Sequence, residues 1–219
     1  MVFDFLPEAK QKWVYSFFAL QIPKCASSSI QKVCGERNLL YKHRGIINQK
    51  FQNHPIYKGI FDTRHLIPEH IAVIFSRQIY DYFSFAVVRE PISRLISSWQ
   101  FGKGKKLGKV YGLSDDTSFS EYVDFLYGAH QENRRDILIL RPQTDWAASE
   151  IFKPTAILKF ETLSDDWRQM IEQYNIAGLS KVLPHKNQSE KEKITISAET
   201  RRKILTFYQS DIILYPESF

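Results

Sequence analysis

The sequence predicts an α/β fold, with one domain over residues 1–219 and a central, mainly parallel sheet flanked by helices. Three observations predict it. Apolar runs of strand length recur along the chain, and most are followed by a segment with the composition of a helix. Hydrophobic residues make up 43% of the chain, which argues against disorder. No internal repeat or long linker divides the 219 residues, which are enough for one full core.

The first strand-to-helix unit contains a candidate anion site. The later part of the apolar run 13–22 is predicted as a buried strand. The segment from Ser28 to Arg37 suits a helix, with Ser27 or Ser28 as N-cap, because a short hydroxyl side chain accepts a hydrogen bond from the first helical amides. The loop between them contains small residues and one lysine, Lys24. Backbone N–H groups, the positive helix end and Lys24 together predict a cradle for phosphate or a similar anion.

The order of residues in this loop narrows the choice of anion. The sequence contains no G-x-x-x-x-G-K-[ST], which excludes the common nucleotide triphosphate loop. The heptad Pro23-Lys24-Cys25-Ala26-Ser27-Ser28-Ser29 resembles the phosphosulfate loop of sulfotransferases that use 3′-phosphoadenosine 5′-phosphosulfate (PAPS). It is most similar to that of membrane-associated carbohydrate sulfotransferases of the uronyl 2-O type. The alternative is a serine-rich helix start with a surface lysine.

The resemblance implies a P-loop-like architecture and a set of donor-binding residues. Lys24 is expected to act in catalysis as well as in binding. The expected donor-binding residues of the loop are Lys24, Cys25, Ala26, Ser27, Ser28 and Ser29.

A histidine follows the next predicted strand. Residues 57–61 are predicted as a short strand and residues 62–68 as the loop at its carboxyl end, where ligand chemistry gathers in open α/β sheets. The resemblance also implies a catalytic base at His65, because 2-O members of the family have a histidine after the corresponding strand. His65 is therefore the candidate base. Glu69 and His70 are the alternatives, and Glu69 also suits the first turn of the next helix.

A second anion motif begins at Arg89, at the end of the apolar strand predicted over 84–89. It resembles the 3′-phosphate motif of the same family, Arg-Asp-Pro-x-x-Arg-x-x-Ser. The positions that match are Arg89, Pro91, Arg94 and Ser97. Arg89 and Ser97 are expected to bind the 3′-phosphate, because a guanidinium and a hydroxyl donate to its oxygens. Arg94 is interpreted as structural, and Glu90, where Asp is usual, as organising the turn.

The remaining segments contain weaker candidates. The predicted elements are a helix over 68–79, a basic glycine-rich loop over 102–112, a helix over 115–127, a strand over 156–160, a helix from 161 and a helix over 200–208. The helix over 115–127 is predicted to be amphipathic, with a core face formed by Phe119, Tyr122, Val123 and Leu126. The basic loop is either a lid over the donor or a solvated excursion. The segment 140–146 resembles an element near the active site of carbohydrate sulfotransferases, so Gln143 and Trp146 are candidates for acceptor contact. The segment 183–189 resembles a loop that covers the nucleotide in related enzymes. Three further donor-binding candidates lie in it: Lys186, Asn187 and Ser189.

Composition limits the partners and the compartment. The formal net charge of +6 fits an anionic ligand or acceptor and fits nucleic acid equally well. The two cysteines predict neither a disulfide framework nor a metal site, which indicates a reduced compartment. The sequence shows no signal peptide and no apolar run near the about 20 residues of a membrane helix. A cytoplasmic protein without a membrane span is expected.

These observations favour one function among three. The leading hypothesis is transfer of a sulfuryl group from PAPS to an acceptor hydroxyl, of a glycan or glycoconjugate, with a histidine base and no metal. One alternative is a nucleotide or small-molecule kinase on a related α/β fold. The other is a non-catalytic polyanion-binding protein. Nucleic acid is not expected as a partner, because the lysines cluster in one segment without interleaved aromatic residues.

Overall fold

The computed structural model describes residues 16–51, 64–102, 114, 116–134, 136–184 and 194–219. The strand predicted over 57–61, the basic loop after residue 102, and the candidates Lys186, Asn187 and Ser189 lie outside these residues. The chain divides into two compact units, which are described separately. The first unit is Met1–Val88 with Asp145–Lys186, and the second is Arg89–Thr144 with Asn187–Phe219. A single domain over 1–219 stays a prediction.

The first unit contains a parallel sheet. Its strands among the described residues are β1 (Phe17–Leu20), β2 (Phe83–Val88) and β3 (Ala156–Lys159), in the order β1-β2-β3. In the register, Leu20 lies opposite Ala86, and Val88 lies opposite Lys159. Every residue of β2 is buried, as expected of a central parallel strand. The predicted α/β fold class with a parallel sheet is confirmed.

Helices connect and follow these strands. In chain order they are α1 (Ser27–Cys34), α2 (Leu39–Lys42), α3 (Arg44–Phe51), α4 (Pro68–Phe75), α5 (Pro91–Gly102), α6 (Phe119–Gln131), α7 (Thr144–Ala147), α8 (Leu163–Gln173) and α9 (Ala198–Phe207). Short 3₁₀ helices lie at Gly35–Arg37, Ser76–Asp81, Leu138–Leu140, Phe160–Thr162, Gln209–Ile213 and Pro216–Ser218. Among the residues described, none of these helices is both long and apolar enough to cross a membrane.

Aromatic side chains hold helices on both faces of the sheet. On one face, the rings of Phe18 and Phe75 of α4 lie 5.1 Å apart between centroids. On the other, Phe85 of β2 lies 5.7 Å from Trp167 of α8 and the same distance from Phe17. Neighbouring residues of a strand point to opposite faces, so Phe17 and Phe18 of β1 serve different layers. The helices therefore flank the sheet, as predicted.

On the side of β1 that faces away from β2, a side chain pairs with the strand backbone. The amide of Asn38 accepts from the Ala19 N–H at 3.2 Å and donates to the Ala19 carbonyl at 3.4 Å. The same oxygen accepts from the Leu40 N–H and so caps α2. Asn38 is fully buried. Its amide thus takes the place of a neighbouring peptide group at this point of the edge.

The second unit is built around three helices. The helix predicted over 115–127 is α6, which starts later, at Phe119, because Ser118 and Glu121 form a capping box. Its predicted apolar face is buried against α5 and α9. The main residues of this core are Leu95 and Trp99 of α5, Phe119, Tyr122, Val123 and Leu126 of α6, and Ile204 and Phe207 of α9. The predicted amphipathic packing of α6 is therefore confirmed.

Candidate functional site

The turn between β1 and α1 has an unusual backbone. Lys24 has φ 68° and Ala26 has φ 58°, whereas Cys25 between them does not have a positive φ. A left-handed conformation costs a non-glycine residue roughly 1–2 kcal/mol, so surrounding contacts must hold it. One of these is the bond from the Cys25 N–H to the Ile22 carbonyl, at 3.2 Å. Alternating conformations of this kind turn successive N–H groups toward one side, which is the geometry of an anion-binding nest.

The helix that follows begins differently from the prediction. Neither Ser27 nor Ser28 is the N-cap, because α1 already starts at Ser27 and is preceded by the left-handed Ala26. The hydroxyl of Ser27 instead donates back to the Ile22 carbonyl at 3.1 Å. The N–H groups of Ser29 and Ile30 donate to the Ala26 carbonyl.

The start of α1 has backbone N–H groups that can donate hydrogen bonds. Within the described residues, the N–H groups of Ser27 and Ser28 have no acceptor. Because no side chain caps the helix, these two groups and the positive end of α1 can bind an anion. Ser28 is exposed and Ser29 is half-buried, whereas the Cys25 side chain is buried. Because the Cys25 N–H already donates to the Ile22 carbonyl and its side chain is buried, a donor-binding role for Cys25 stays a prediction.

The thiols of this unit are not suited to nucleophilic chemistry. The Cys25 thiol is buried and donates to the Pro23 carbonyl at 3.6 Å. Burial raises the pKa of the Cys34 thiol to about 12, with a smaller opposing effect from the positive charge of Arg37. Both groups therefore serve packing.

His65 is bonded to the strand end that precedes the cradle. Its Nδ1 lies 2.6 Å from the carbonyl oxygen of Gln21, the first residue after β1. A carbonyl oxygen only accepts, so Nδ1 carries the hydrogen, and in the neutral ring the lone pair is on Nε2. The Gln21 side chain is held in turn by Gln31 of α1 at 3.0 Å. The ring is thereby held in the tautomer that a base requires.

The two alternative bases lie in the first turn of α4. The carboxylate of Glu69 accepts from the Ser149 hydroxyl at 2.9 Å, within the first unit. His70 is half-buried on the same helix. The position of Glu69 agrees with the expected place in the first helical turn.

In the second unit, the backbone of Arg89 is bound by a glutamine. The Arg89 N–H donates to Oε1 of Gln143 at 2.7 Å, and Nε2 of Gln143 donates to the Arg89 carbonyl at 2.7 Å. Nε2 also donates to Asp211 at 3.2 Å, and the other oxygen of Asp211 accepts from the Thr144 N–H at 3.0 Å. Gln143 and Asp211 are fully buried. Asp211 is a residue that sequence reasoning missed; an acid within the apolar segment 211–215 was the available signal.

The other residues of the second motif differ in their contacts. Glu90 accepts from the N–H groups of Ile92 and Ser93 at 3.1 and 2.7 Å, so it organises the start of α5 as interpreted. Arg94 is fully buried, donates to the Arg141 carbonyl at 2.9 Å and lies over the Tyr208 ring. Both interpretations therefore agree with the contacts. Ser97 is half-buried on α5, and its hydroxyl has no hydrogen-bond partner among the residues described.

The two candidates for acceptor contact are both buried. Trp146 has no exposed surface, and its Nε1 has no partner among the residues described. Gln143 uses both ends of its amide within the protein. The segment 140–146 is also less loop-like than expected, because it enters α7 at Thr144. An acceptor role for these side chains stays a prediction, and their burial argues for internal roles.

A comparison with protein-family models gives one match. The model described as "Sulfotransferase family" matches residues 8–216, which is most of the chain. The chain belongs to the sulfotransferase family. A search of curated proteins and a search of solved structures found no match. The match includes the turn before α1, His65 and the Arg89 motif, although it does not assign a role to any residue.

The contacts of Glu90 generate a prediction. Replacing Glu90 by Ala leaves two helical N–H groups without their acceptor and should lower the free energy of unfolding by about 1 kcal/mol. Glu90→Asp should retain most of this stability, because a shorter carboxylate still caps a helix. Urea unfolding of the purified variants measures both effects. Equal stability of Glu90→Ala and the parent protein would contradict the capping role.

Proposed function

We propose that this family member transfers a sulfuryl group from PAPS to a carbohydrate hydroxyl, with His65 as the base. The observation that carries the proposal is the hydrogen bond between His65 and the Gln21 carbonyl, which ties the candidate base to the start of the anion cradle. A base that is hydrogen-bonded to the chain just before an anion site can meet the same reacting group. PAPS would supply the activated sulfuryl group, whose leaving group is the 5′-phosphate of 3′-phosphoadenosine 5′-phosphate.

The donor's phosphosulfate suits the turn between β1 and α1. It is an anion with several acceptor oxygens, and the turn offers the N–H groups of Ser27 and Ser28 together with the end of α1. Ser28, which is exposed, and Ser29, which is half-buried, add hydroxyl groups to the same helix start. Lys24 would neutralise the negative charge that develops on the oxygen between sulfur and phosphorus as the bond from sulfur to this oxygen breaks. With these positive groups, the proposal needs no metal.

His65 would take the proton of the acceptor. As the acceptor oxygen bonds to sulfur, its hydrogen moves to Nε2, and Nδ1 keeps its hydrogen bond to Gln21. That bond stabilises the imidazolium, because a carbonyl oxygen attracts the more positive N–H. Glu69 already accepts from Ser149, which favours His65 over Glu69 as the base.

The 3′-phosphate end of the donor is assigned to Arg89 and Ser97 by resemblance. A guanidinium forms paired hydrogen bonds with phosphate oxygens, and the Ser97 hydroxyl adds one donor. The further candidates Lys186, Asn187 and Ser189 rest on resemblance alone. Glu90 stands where the family motif has Asp. Because its carboxylate accepts from the first N–H groups of α5, this difference from the motif affects helix capping and leaves the proposed phosphate ligands unchanged.

A carbohydrate acceptor of the uronyl type is proposed from the loop heptad and from charge. Sugars with uronic acid groups are anionic, and the chain has a net charge of +6. A ring hydroxyl of such a sugar would be the nucleophile that attacks sulfur. A screen of labelled sulfuryl transfer onto sugars, lipids, phenols and peptides tests this class, and transfer only to phenols or peptides would contradict it.

Donor binding separates this function from a kinase and from a polyanion binder. A ligand that binds only the folded protein raises its unfolding temperature. We expect 3′-phosphoadenosine 5′-phosphate to raise this temperature at concentrations where ATP with magnesium and heparin do not. Differential scanning fluorimetry measures the three shifts. A response to ATP with magnesium alone would favour a kinase, and a response to heparin alone would favour a polyanion-binding protein.

Lys24 gives a kinetic prediction. Lys24→Ala should leave the unfolding temperature nearly unchanged and reduce turnover by about 10²-fold or more, because one charge at a developing oxyanion contributes this much. Lys32→Ala, which removes an exposed lysine from α1, is the matched control and should keep full turnover. The measurement is transfer of labelled sulfuryl from PAPS to the acceptor found in the screen. Near-normal turnover of Lys24→Ala would reject its role.

His65 gives a pH prediction. A base acts only in its unprotonated form, so kcat/KM of the parent should fall as the pH drops through the pKa of the histidine. His65→Asn should reduce kcat by about 10²–10⁴-fold and remove this acid limb. His70→Asn and Glu69→Gln are the comparison variants. If one of them, rather than His65→Asn, removes the acid limb, the base is assigned to that residue.

A further inference from the structure

The contact between Gln143 and Arg89 is closer to strand pairing than to an ordinary side-chain contact. One amide group binds both the N–H and the carbonyl of the same residue, each at 2.7 Å. Because these two groups belong to successive peptide planes, both planes are held at once. The direction in which the Arg89 side chain leaves the backbone is thereby restricted. Arg89 itself is half-buried.

Asp211 determines which way round the Gln143 amide lies. A carboxylate only accepts hydrogen bonds, and Asp211 accepts the second hydrogen of Gln143 Nε2 at 3.2 Å. If the amide were flipped, its oxygen would face both Asp211 and the Arg89 carbonyl. Its nitrogen would then face the Arg89 N–H. The flipped amide therefore has no favourable contact, and Asp211 selects the orientation that can bind Arg89.

The carboxylate is itself held in place. Its other oxygen accepts from the Thr144 N–H at 3.0 Å, one residue after Gln143. Asp211 belongs to the 3₁₀ helix Gln209–Ile213, and its own N–H donates to the Tyr208 carbonyl at 2.8 Å. Asp211 and Gln143 have no exposed surface. A buried carboxylate with neutral donors is maintained only where its hydrogen bonds offset the loss of water.

We propose that Gln143 and Asp211 are positioning residues that orient Arg89 toward the 3′-phosphate of the donor. This inference rests on the proposed function, because it takes Arg89 as the 3′-phosphate ligand. Neither residue touches the donor; both act through the Arg89 backbone. The resemblance assigns Gln143 to contact with the sulfuryl acceptor, whereas this proposal assigns it to binding of the sulfuryl donor.

The inference predicts a selective loss of affinity. Gln143→Met removes the amide at similar length, and Asp211→Asn makes one N–H of Gln143 or Thr144 face another N–H. Each variant should weaken binding of 3′-phosphoadenosine 5′-phosphate by about tenfold or more, because the guanidinium no longer meets the phosphate in line. Binding of adenosine 5′-phosphate, which has no 3′-phosphate, should stay the same. Titration calorimetry measures the dissociation constants of both nucleotides, and their ratio gives the preference for the 3′-phosphate.

Two controls separate the possible outcomes. Arg89→Ala should abolish the preference for the 3′-phosphate, and Ser210→Ala, which removes only an exposed hydroxyl bonded to Thr144, should keep it. If the parent protein shows no preference, the proposed function fails. If Arg89→Ala loses the preference while Gln143→Met and Asp211→Asn retain it, the proposed function stands and this inference is overturned. A merely structural role would weaken both nucleotides equally.

A measurement on the parent protein tests the inference even if the variants fail to fold. Amide hydrogen exchange at Arg89 reports the hydrogen bond to Gln143 directly. We expect slow exchange in the absence of nucleotide and further slowing by 3′-phosphoadenosine 5′-phosphate, but not by adenosine 5′-phosphate. Fast exchange without nucleotide, or equal slowing by both, would overturn the inference.

Discussion

The turn between β1 and α1 is the constraint on which the candidate site depends. Its left-handed residues, Lys24 and Ala26, let the chain enter the helix without a side-chain cap, so that the N–H groups of Ser27 and Ser28 have no acceptor among the described residues. Such a backbone is locally unfavourable, and the contacts of Ile22 and the buried strand before it must hold it. Contacts made by the sheet therefore help to maintain the backbone of the proposed anion site.

The two motifs are supported in different ways. In the first unit, the backbone itself makes the donors, and His65 is attached through the Gln21 carbonyl. In the second unit, the backbone of Arg89 is held by a buried side-chain network, and the proposed ligand contact is made by its guanidinium. The first arrangement suits a group that reacts, because charge is stabilised by fixed dipoles. The second suits a group that only has to be recognised.

Sequence was sufficient for the strands and for the motifs, but not for the contacts that support them. Apolar runs predict β1, β2 and β3 because a buried parallel strand tolerates few polar residues. The start of α1 could not be predicted, since serine is a common N-cap and nothing local indicates a left-handed Ala26. Likewise, no local pattern reveals that Gln143 is buried against Asp211, which lies 68 positions further along the chain. Burial at that separation is decided by tertiary packing.

The side chain of Asn38 also affects how molecules of this protein meet one another. An exposed strand edge is a template on which a second chain can add a strand, and aggregation often begins there. At Ala19 both edge groups are already bonded to the Asn38 amide, and Asn38 forms a bridge with Phe17. At Ala19, the side of β1 that faces away from β2 therefore offers little for intermolecular strand addition. Here a single buried amide occupies both backbone groups, a task for which other proteins use a charged residue or a bulge at an edge strand.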